Sequence, residues 1–94
     1  MNNYEGMFLL SPKLTDEALE KEIASIKGVL EKNEAKVEKI ETLGKKALAY
    51  KIKKFKEGIY VLVNFKVKPS SIITVEKVFK LDESIVRTLI ILKG

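Results

Sequence analysis

The sequence contains no cysteine and no histidine. Disulfide bonds and thiolate zinc sites are therefore excluded, and the commonest general base and metal ligand is missing. The five glycines are scattered and form no phosphate-binding loop. Two adjacent acids, Asp82 and Glu83, are more typical of a solvated turn than of a cation site. We therefore expect no enzyme, no bound metal, no cofactor and no small-molecule substrate.

Long hydrophobic runs and a basic leader are also lacking. The first residues, MNNYEGMFLL, do not match a cleavable signal, and no apolar stretch is long enough to cross a bilayer. The absence of cysteine fits a reducing compartment. We expect a soluble cytoplasmic protein with no membrane contact.

What is present is enough for one folded domain. The 94 residues are 46% hydrophobic and 33% charged, a composition that can bury a core beneath a charged surface. A chain of this length is too short for two domains, so residues 1–94 are expected to form a single one.

Positive charge is concentrated in the middle of the chain. The formal net charge is +5 for the whole chain, but residues 36–68 carry ten lysines against three acids, a net charge of +7. Such a one-sided distribution is typical of a surface that binds a polyanion, although a solvated lysine-rich hairpin is an equally good explanation of the charge alone. Within this segment, an uninterrupted basic cluster is formed by Lys45, Lys46, Lys51, Lys53, Lys54 and Lys56.

Hydrophobic periodicity divides the chain into four strands and two helices. The first helix begins after a capping Thr15 and ends near Asn33, and the second opens at Pro69. Gly44 interrupts the second strand and predicts a bulge there, and the following turn is predicted at residues 53–58. The predicted strands are residues 4–10, 37–52, 59–67 and 85–92.

The order β-α-β-β-α-β has one common compact solution, the α+β ferredoxin-like sandwich. In this fold a four-stranded antiparallel sheet carries both helices on one face, with the first and third strands in the centre. The other face of the sheet stays open, and it should be polar if nothing binds there.

Alternation along the strands predicts instead that the open face is apolar. Glu5 and Arg87 mark the open side of the first and last strands, and the apolar set from Ile59 to Val67 faces the helices. This assignment also puts Ile85 on the open side and Leu92 on the helix side. A contiguous apolar patch with a charged rim is typical of a protein interface, unless the chain's own loops cover it. The predicted protein-docking residues are Met7, Leu9, Tyr60, Leu62, Leu89 and Ile91.

RNA is the natural polyanion for such a domain, and it can be bound in two ways. Aromatic side chains on the two central strands can stack on bases, but Tyr60 is the only aromatic predicted on their open side. Lysines on a projecting hairpin can instead contact phosphates, and the cluster from Lys45 to Lys56 favours this mode. With about four phosphates neutralised, log K should fall against log salt with a slope of roughly −3 to −4.

Several segments together resemble a known family. Tyr4-Glu5 opens the first strand, Pro12 closes it, the run LGKKALAYKI fills residues 43–52, and Asp82 to Arg87 leads into the last strand. These segments are similar to those of the family of the bacterial ribosomal small-subunit protein numbered six, over nearly the whole chain. The resemblance implies a ferredoxin-like structural constituent of the small subunit. Such proteins bind the central domain of the small-subunit rRNA together with the small-subunit protein numbered eighteen.

The resemblance also implies which residues contact RNA. The pair Lys45-Lys46 stands where the family carries a basic pair, and Arg87 stands where it carries arginine. The pair Asn2-Asn3 replaces residues that are often basic, so a weaker N-terminal contact is expected. Together with the hairpin lysines, the predicted RNA-binding residues are Asn2, Asn3, Tyr4, Lys45, Lys46, Lys51, Lys53, Lys54, Lys56 and Arg87.

Two other functions are compatible with this fold. A homo-oligomeric regulatory module would bind a small ligand between sheets, and gel filtration would show a stable oligomer that is indifferent to rRNA. An acyl-phosphate hydrolase would need an anion-binding loop after the first strand, where residues 11–14, Ser-Pro-Lys-Leu, offer little.

Overall fold

The computed structural model describes residues 1–93 and contains the six predicted elements in the predicted order. A short 3-10 turn at Pro69–Ser71 precedes the second helix. The helices are α1 (Asp16–Lys32) and α2 (Ile72–Lys80). The strands are β1 (Asn2–Leu10), β2 (Lys36–Ile52), β3 (Phe55–Val67) and β4 (Ile85–Lys93).

The four strands form one antiparallel sheet in the order β2-β3-β1-β4. The first and third strands are therefore central, as predicted. The register pairs Phe8 with Val61 and Met7 with Leu62 across these central strands. Both helices pack on the same face of the sheet, because Leu30 of α1 and Val75 of α2 belong to the core cluster that also holds Phe8. This is the predicted ferredoxin-like sandwich.

Helix α1 begins and ends as its sequence predicts. The Thr15 hydroxyl accepts a hydrogen bond from the backbone N–H of Ala18 at 3.1 Å, so it satisfies one of the unpaired donors of the first turn. At the other end the Asn33 side-chain amide donates to the carbonyl of Val29 at 2.8 Å. The chain then turns through Glu34, whose φ of 65° lies in the left-handed region and ends the helix.

Aromatic rings organise the core between the sheet and the helices. Phe8 meets Phe79 of α2 edge to face, with ring centroids 4.9 Å apart, and Tyr4 stacks on Phe65 at 5.9 Å. Gly6 lies between these rings, since a Cβ there would come within 2.9 Å of the Phe8 ring. On β3 the helix-facing set is buried as predicted, and it consists of Ile59, Val61, Val63, Phe65 and Val67.

The hairpin between β2 and β3 is longer and less regular than predicted. The predicted bulge at Gly44 is present, with a register shift between Thr42 and Gly44 and a φ of +88°. The predicted turn at residues 53–58 is wrong, because the chain reverses at Lys53 and Lys54 alone and β3 already begins at Phe55. The ladder is irregular between the pair Ala47–Glu57 and the pair Ile52–Phe55, so residues 48–51 bulge out of it.

A bulge in β4 changes which side of the sheet its first residues face. Leu9 pairs with Arg87, but Leu10 pairs with Ile85, so Val86 is the extra residue. The bulge turns Ile85 into the helix-side core, and the prediction that Ile85 lies on the open side is wrong. Leu92 was predicted on the helix side, and it pairs with the core residue Tyr4, which lies on that side. It is nevertheless 57% exposed, because β4 is an edge strand.

Candidate nucleic-acid and protein interfaces

The hairpin projects beyond the sheet and carries the lysine cluster. Strand β1 ends opposite Ile59, and Ile59 in turn pairs with Lys45, so the hairpin beyond this level is two-stranded. We call residues 45–58 the basic hairpin. All six of its lysines are exposed: Lys45, Lys46, Lys51, Lys53, Lys54 and Lys56. Because these side chains are exposed, the cations can reach an external partner.

The charges of the basic hairpin are not neutralised within the molecule. Within residues 1–93 four ion pairs are formed, between Lys21 and Glu17, Lys39 and Glu41, Lys66 and Glu38, and Lys93 and Glu5. No hairpin lysine takes part in any of them. Because like charges held close together repel, the cluster is suited to a polyanion that brings compensating negative charge.

Arg87 lies beside the tip of this hairpin, although it comes from the opposite edge strand. It lines a groove of about 240 Å³ together with Lys53 and with Lys80, the last residue of α2. Lys53 was predicted for RNA contact from the lysine cluster and Arg87 from the resemblance, and the structure brings the two together. Lys80 was not predicted, because a lysine in the last turn of a helix is sufficiently explained by the helix dipole.

The N-terminal residues lie at the other end of the sheet. Asn3 pairs with Lys66 and Lys93, whereas the hairpin follows the end of β1 at Leu10, about 24 Å further along the strand. Asn2 is exposed, but Tyr4 is buried in the core, where little of its side chain reaches the surface. The structure therefore separates the predicted RNA-binding residues into two groups, with Asn2 and Asn3 distant from the lysines.

The predicted protein-docking residues are neighbours on the open face. Met7 lies between Leu62 and Leu89 in the register, and the exposed fractions of Leu89 and Ile91 are 47% and 48%. Leu9 is on this face but is only 3% exposed, so the prediction that its side chain is uncovered is wrong. The hairpin covers it, since a Cβ at Gly58 would meet the Leu9 side chain. We call the six residues Met7, Leu9, Tyr60, Leu62, Leu89 and Ile91 the apolar face.

The hairpin covers only one end of the apolar face. Ile52 lines a groove of about 170 Å³ there, together with Met7, Tyr60, Leu89 and Arg87. Beyond the apolar face, the rest of the open face is polar. A shallow groove there is lined by Asn3, Glu38, Lys39, Asn64, Lys66 and Lys93.

Two residues of the hairpin were not singled out from the sequence. Ile52 was assigned only to a strand, and it reaches the apolar face because the hairpin leans over it. Tyr50 is 69% exposed among the lysines. The signal that could have identified Tyr50 is an aromatic residue inside a basic run, a combination typical of surfaces that bind single-stranded nucleic acid.

The structure describes neither a metal centre nor a membrane segment. In residues 1–93 no three acidic side chains come together in a way that could hold a metal ion. Neither helix in this range is long and apolar enough to span a membrane.

The chain is a ferredoxin-like domain with two exposed surfaces, a basic hairpin whose lysines form no ion pair within residues 1–93 and an open face that is partly apolar. These features define a class of small α+β domains that act by binding other molecules at their surfaces. The family model of ribosomal protein S6 matches residues 3–92, and the chain belongs to this family. It is therefore a structural protein of the small subunit of the cytoplasmic ribosome and not an enzyme. This membership confirms the family and the non-enzymatic class predicted from the sequence.

Individual relatives agree over the whole length. The chain is 40% identical over 94 residues to small ribosomal subunit protein bS6 of Desulforamulus reducens, covering 100% of this chain and 99% of the relative. It is 40% identical over 91 residues to the protein of the same name from Clostridium novyi, covering 97% and 96%. The crystal structure of 30S ribosomal protein S6 from Thermotoga maritima superposes with a TM-score of 0.92 at 28% identity, covering 98% of this chain and 87% of that one.

Proposed function

We propose that this protein binds the central domain of the small-subunit rRNA together with the small-subunit protein numbered eighteen. The observation that carries the proposal is the pairing of two different surfaces on one small domain. The lysines of the basic hairpin belong to no ion pair within residues 1–93, and the apolar face lies next to the hairpin on the open side of the sheet. A domain with both surfaces can hold an anionic strand and an apolar protein partner at the same time.

The RNA contact is made mainly to phosphates. The hairpin lysines are flexible cations at the end of a two-stranded projection, and Arg87 adds a planar guanidinium that suits bidentate phosphate binding. Phosphate contacts carry no base sequence, so fit to the shape of the folded rRNA provides the specificity. Asn2 and Asn3, at the far end of β1, form a separate and weaker contact.

The protein contact is made by the apolar face. Leu89 and Ile91 are the half-exposed aliphatic side chains, and Met7, Tyr60 and Leu62 lie partly buried beside them. The ion pair between Lys93 and Glu5, 3.2 Å apart, forms part of a polar rim. An apolar centre with a charged rim is the usual anatomy of a protein interface.

A charge-reversal pair tests the RNA contact. Replacing Lys45→Glu and Lys46→Glu together should abolish binding to a central-domain rRNA fragment at moderate salt, measured with the partner protein present. Wild type should show a salt slope of roughly −3 to −4. The matched control, Lys27→Glu with Lys32→Glu, makes the same charge change at exposed positions of α1 and should retain most binding. Both variants should keep the fold, since exposed substitutions usually cost little stability.

Two outcomes would contradict the proposal. Binding that survives in the hairpin variant would show that the lysines do not make the RNA contact. A stable homo-oligomer that is indifferent to rRNA would favour the regulatory module that binds a small ligand. The six exposed lysines of the basic hairpin form no ion pair within residues 1–93, and they suit a polyanion better than a small ligand, so the RNA-binding function is the better supported of the two.

A further inference from the structure

We infer that Lys53, Lys80 and Arg87 together form one phosphate-binding groove for RNA. The three residues come from three different elements, the β2–β3 turn, the end of α2 and strand β4, and they line the same cavity of about 240 Å³. We call this cavity the basic groove. The inference rests on the proposed function and extends it, because Lys80 and the groove itself lie outside the hairpin.

The register of β4 and the lean of the hairpin assemble the basic groove. The register places Arg87 opposite Leu9, at the end of the open face that the hairpin covers, and the bulge at Val86 follows directly after this pair. The leaning hairpin brings Ile52 against the apolar face and Lys53 against β4. Arg87 lines both the basic groove with Lys53 and the apolar groove with Ile52. The hairpin tip therefore lies directly beside Arg87.

The charges of the basic groove favour an anion. Neither Lys53, Lys80 nor Arg87 belongs to an ion pair within residues 1–93, and Glu76 is the one acid that lines the cavity. The lining residues therefore carry a net charge of +2. A guanidinium flanked by two ammonium groups is an arrangement that binds phosphate well.

The size of the groove fits part of a nucleotide. A cavity of about 240 Å³ has room for about eight water molecules, so a phosphate group fits into it. Because the groove is continuous with the hairpin through Lys53, a strand bound by the hairpin can enter it. The basic groove thus extends the RNA path from the hairpin to the end of α2.

Lys80 provides the decisive variant because α2 contains a matched control. Lys77 and Lys80 are both exposed in the last turn of α2, where both stabilise the helix dipole, but only Lys80 lines the groove. Lys80→Gln should weaken binding to the central-domain rRNA fragment roughly fivefold at 0.15 M salt and reduce the salt slope by about 1. Lys77→Gln should leave both the affinity and the slope unchanged.

Glu76 provides a test of opposite sign. Its carboxylate repels a phosphate in the groove, so Glu76→Gln should raise the affinity about twofold at low salt, an effect that declines as salt is added. Glu83→Gln removes an exposed acid that does not line the groove, and it should change little. If Glu76 only stabilised the fold, the Glu76→Gln substitution would not improve RNA binding.

The outcomes separate this inference from the proposed function. If wild type binds, the Lys45→Glu/Lys46→Glu variant does not, and Lys80→Gln behaves like Lys77→Gln, the basic groove is wrong while the hairpin contact stands. An unchanged affinity for Glu76→Gln overturns the groove in the same way. If wild type does not bind the fragment, or the hairpin variant still binds it, the proposed function fails and the groove fails with it. Equal thermal unfolding of all variants shows that the differences are not losses of folding.

Discussion

At the scale of single residues, Gly58 occupies a buried position that has no room for a side chain. A Cβ there would lie 3.0 Å from Leu9 Cγ and 3.1 Å from the backbone carbonyl oxygen of Leu10, and the carbonyl is part of the sheet and cannot move away. Gly58→Ala should therefore destabilise the fold by about 1–3 kcal/mol, the usual cost of overpacking. Urea unfolding followed by circular dichroism measures the change.

Gly28 supplies the control for this prediction. It lies inside α1 with no atom within 4 Å of the position that a Cβ would take. Gly28→Ala should raise the stability by up to about 1 kcal/mol, because alanine favours a helix interior more than glycine does. Equal stability of the Gly58→Ala variant and wild type would show that the hairpin can move off Leu9.

Glu22 makes the stability depend on pH. Its pKa is raised from 4.5 to about 7, first by burial and then by the Asp82 carboxylate, which accepts a hydrogen bond from protonated Glu22 and repels its ionised form. The folded protein therefore binds a proton that the unfolded chain releases at lower pH. This stabilising contribution is complete below pH 4.5 and is lost as the pH rises through about 7.

Replacing Glu22→Gln should remove this dependence. The variant should be more stable than wild type at pH 8, and the difference should disappear near pH 4.5, where wild type carries the proton. Glu20→Gln removes a charge from an exposed position of the same helix and controls for net charge. A denaturant midpoint measured at both pH values tests the prediction. If the gain in stability of the Glu22→Gln variant did not vary with pH, the contact with Asp82 would not be what keeps Glu22 protonated in the folded protein.

At the scale of elements, the sequence predicts best where one face of an element is buried. The alternation from Ile59 to Val67 defined the core face of β3, and Gly44 correctly marked a bulge. The segment from Lys53 to Gly58 lacks such a pattern, because it lies in the two-stranded part of the hairpin, outside the core between the sheet and the helices, and its apolar residues need not alternate. The sequence therefore predicts a turn over residues 53–58, although β3 already begins at Phe55.

The site was predictable to the same extent. The density of lysines between residues 45 and 56 located the basic surface from the sequence alone. The approach of Lys53 to Arg87 and Lys80 depends on the lean of the hairpin toward β4. This lean is a tertiary arrangement that brings residues of three elements together, and no local pattern encodes it.

The hairpin turn itself combines strain and charge, which one substitution can separate. Lys54 has a φ of 73°, a conformation that is unfavourable for a residue with a side chain. Lys54→Gly should raise the stability by about 1 kcal/mol while it weakens rRNA binding through the lost charge. Lys56→Gln, which loses the same charge outside the turn, should weaken binding similarly without any gain in stability. A loss of stability in the glycine variant would show that the lysine side chain holds the turn.

At the scale of the whole molecule, the two proposed surfaces meet at one residue. Arg87 lines both the basic groove and the apolar groove of the open face. RNA held in the first would therefore lie against a protein docked on the second. Because each partner would fix the same side chain, we expect binding of one to strengthen binding of the other.

Strand β4 allows the apolar face to be tested with a control on the same strand. Leu89 and Ile91 point to the open face, whereas Leu92, which is somewhat more exposed at 57%, belongs to the opposite side. Leu89→Glu should weaken binding to the small-subunit protein numbered eighteen by about 30-fold or more, since it buries a charge at the centre of the interface. Leu92→Glu should leave this affinity nearly unchanged. Titration calorimetry of both variants decides between the surfaces, because an equal loss in the two would mean that the partner pairs along the edge of β4 and does not cover the open face.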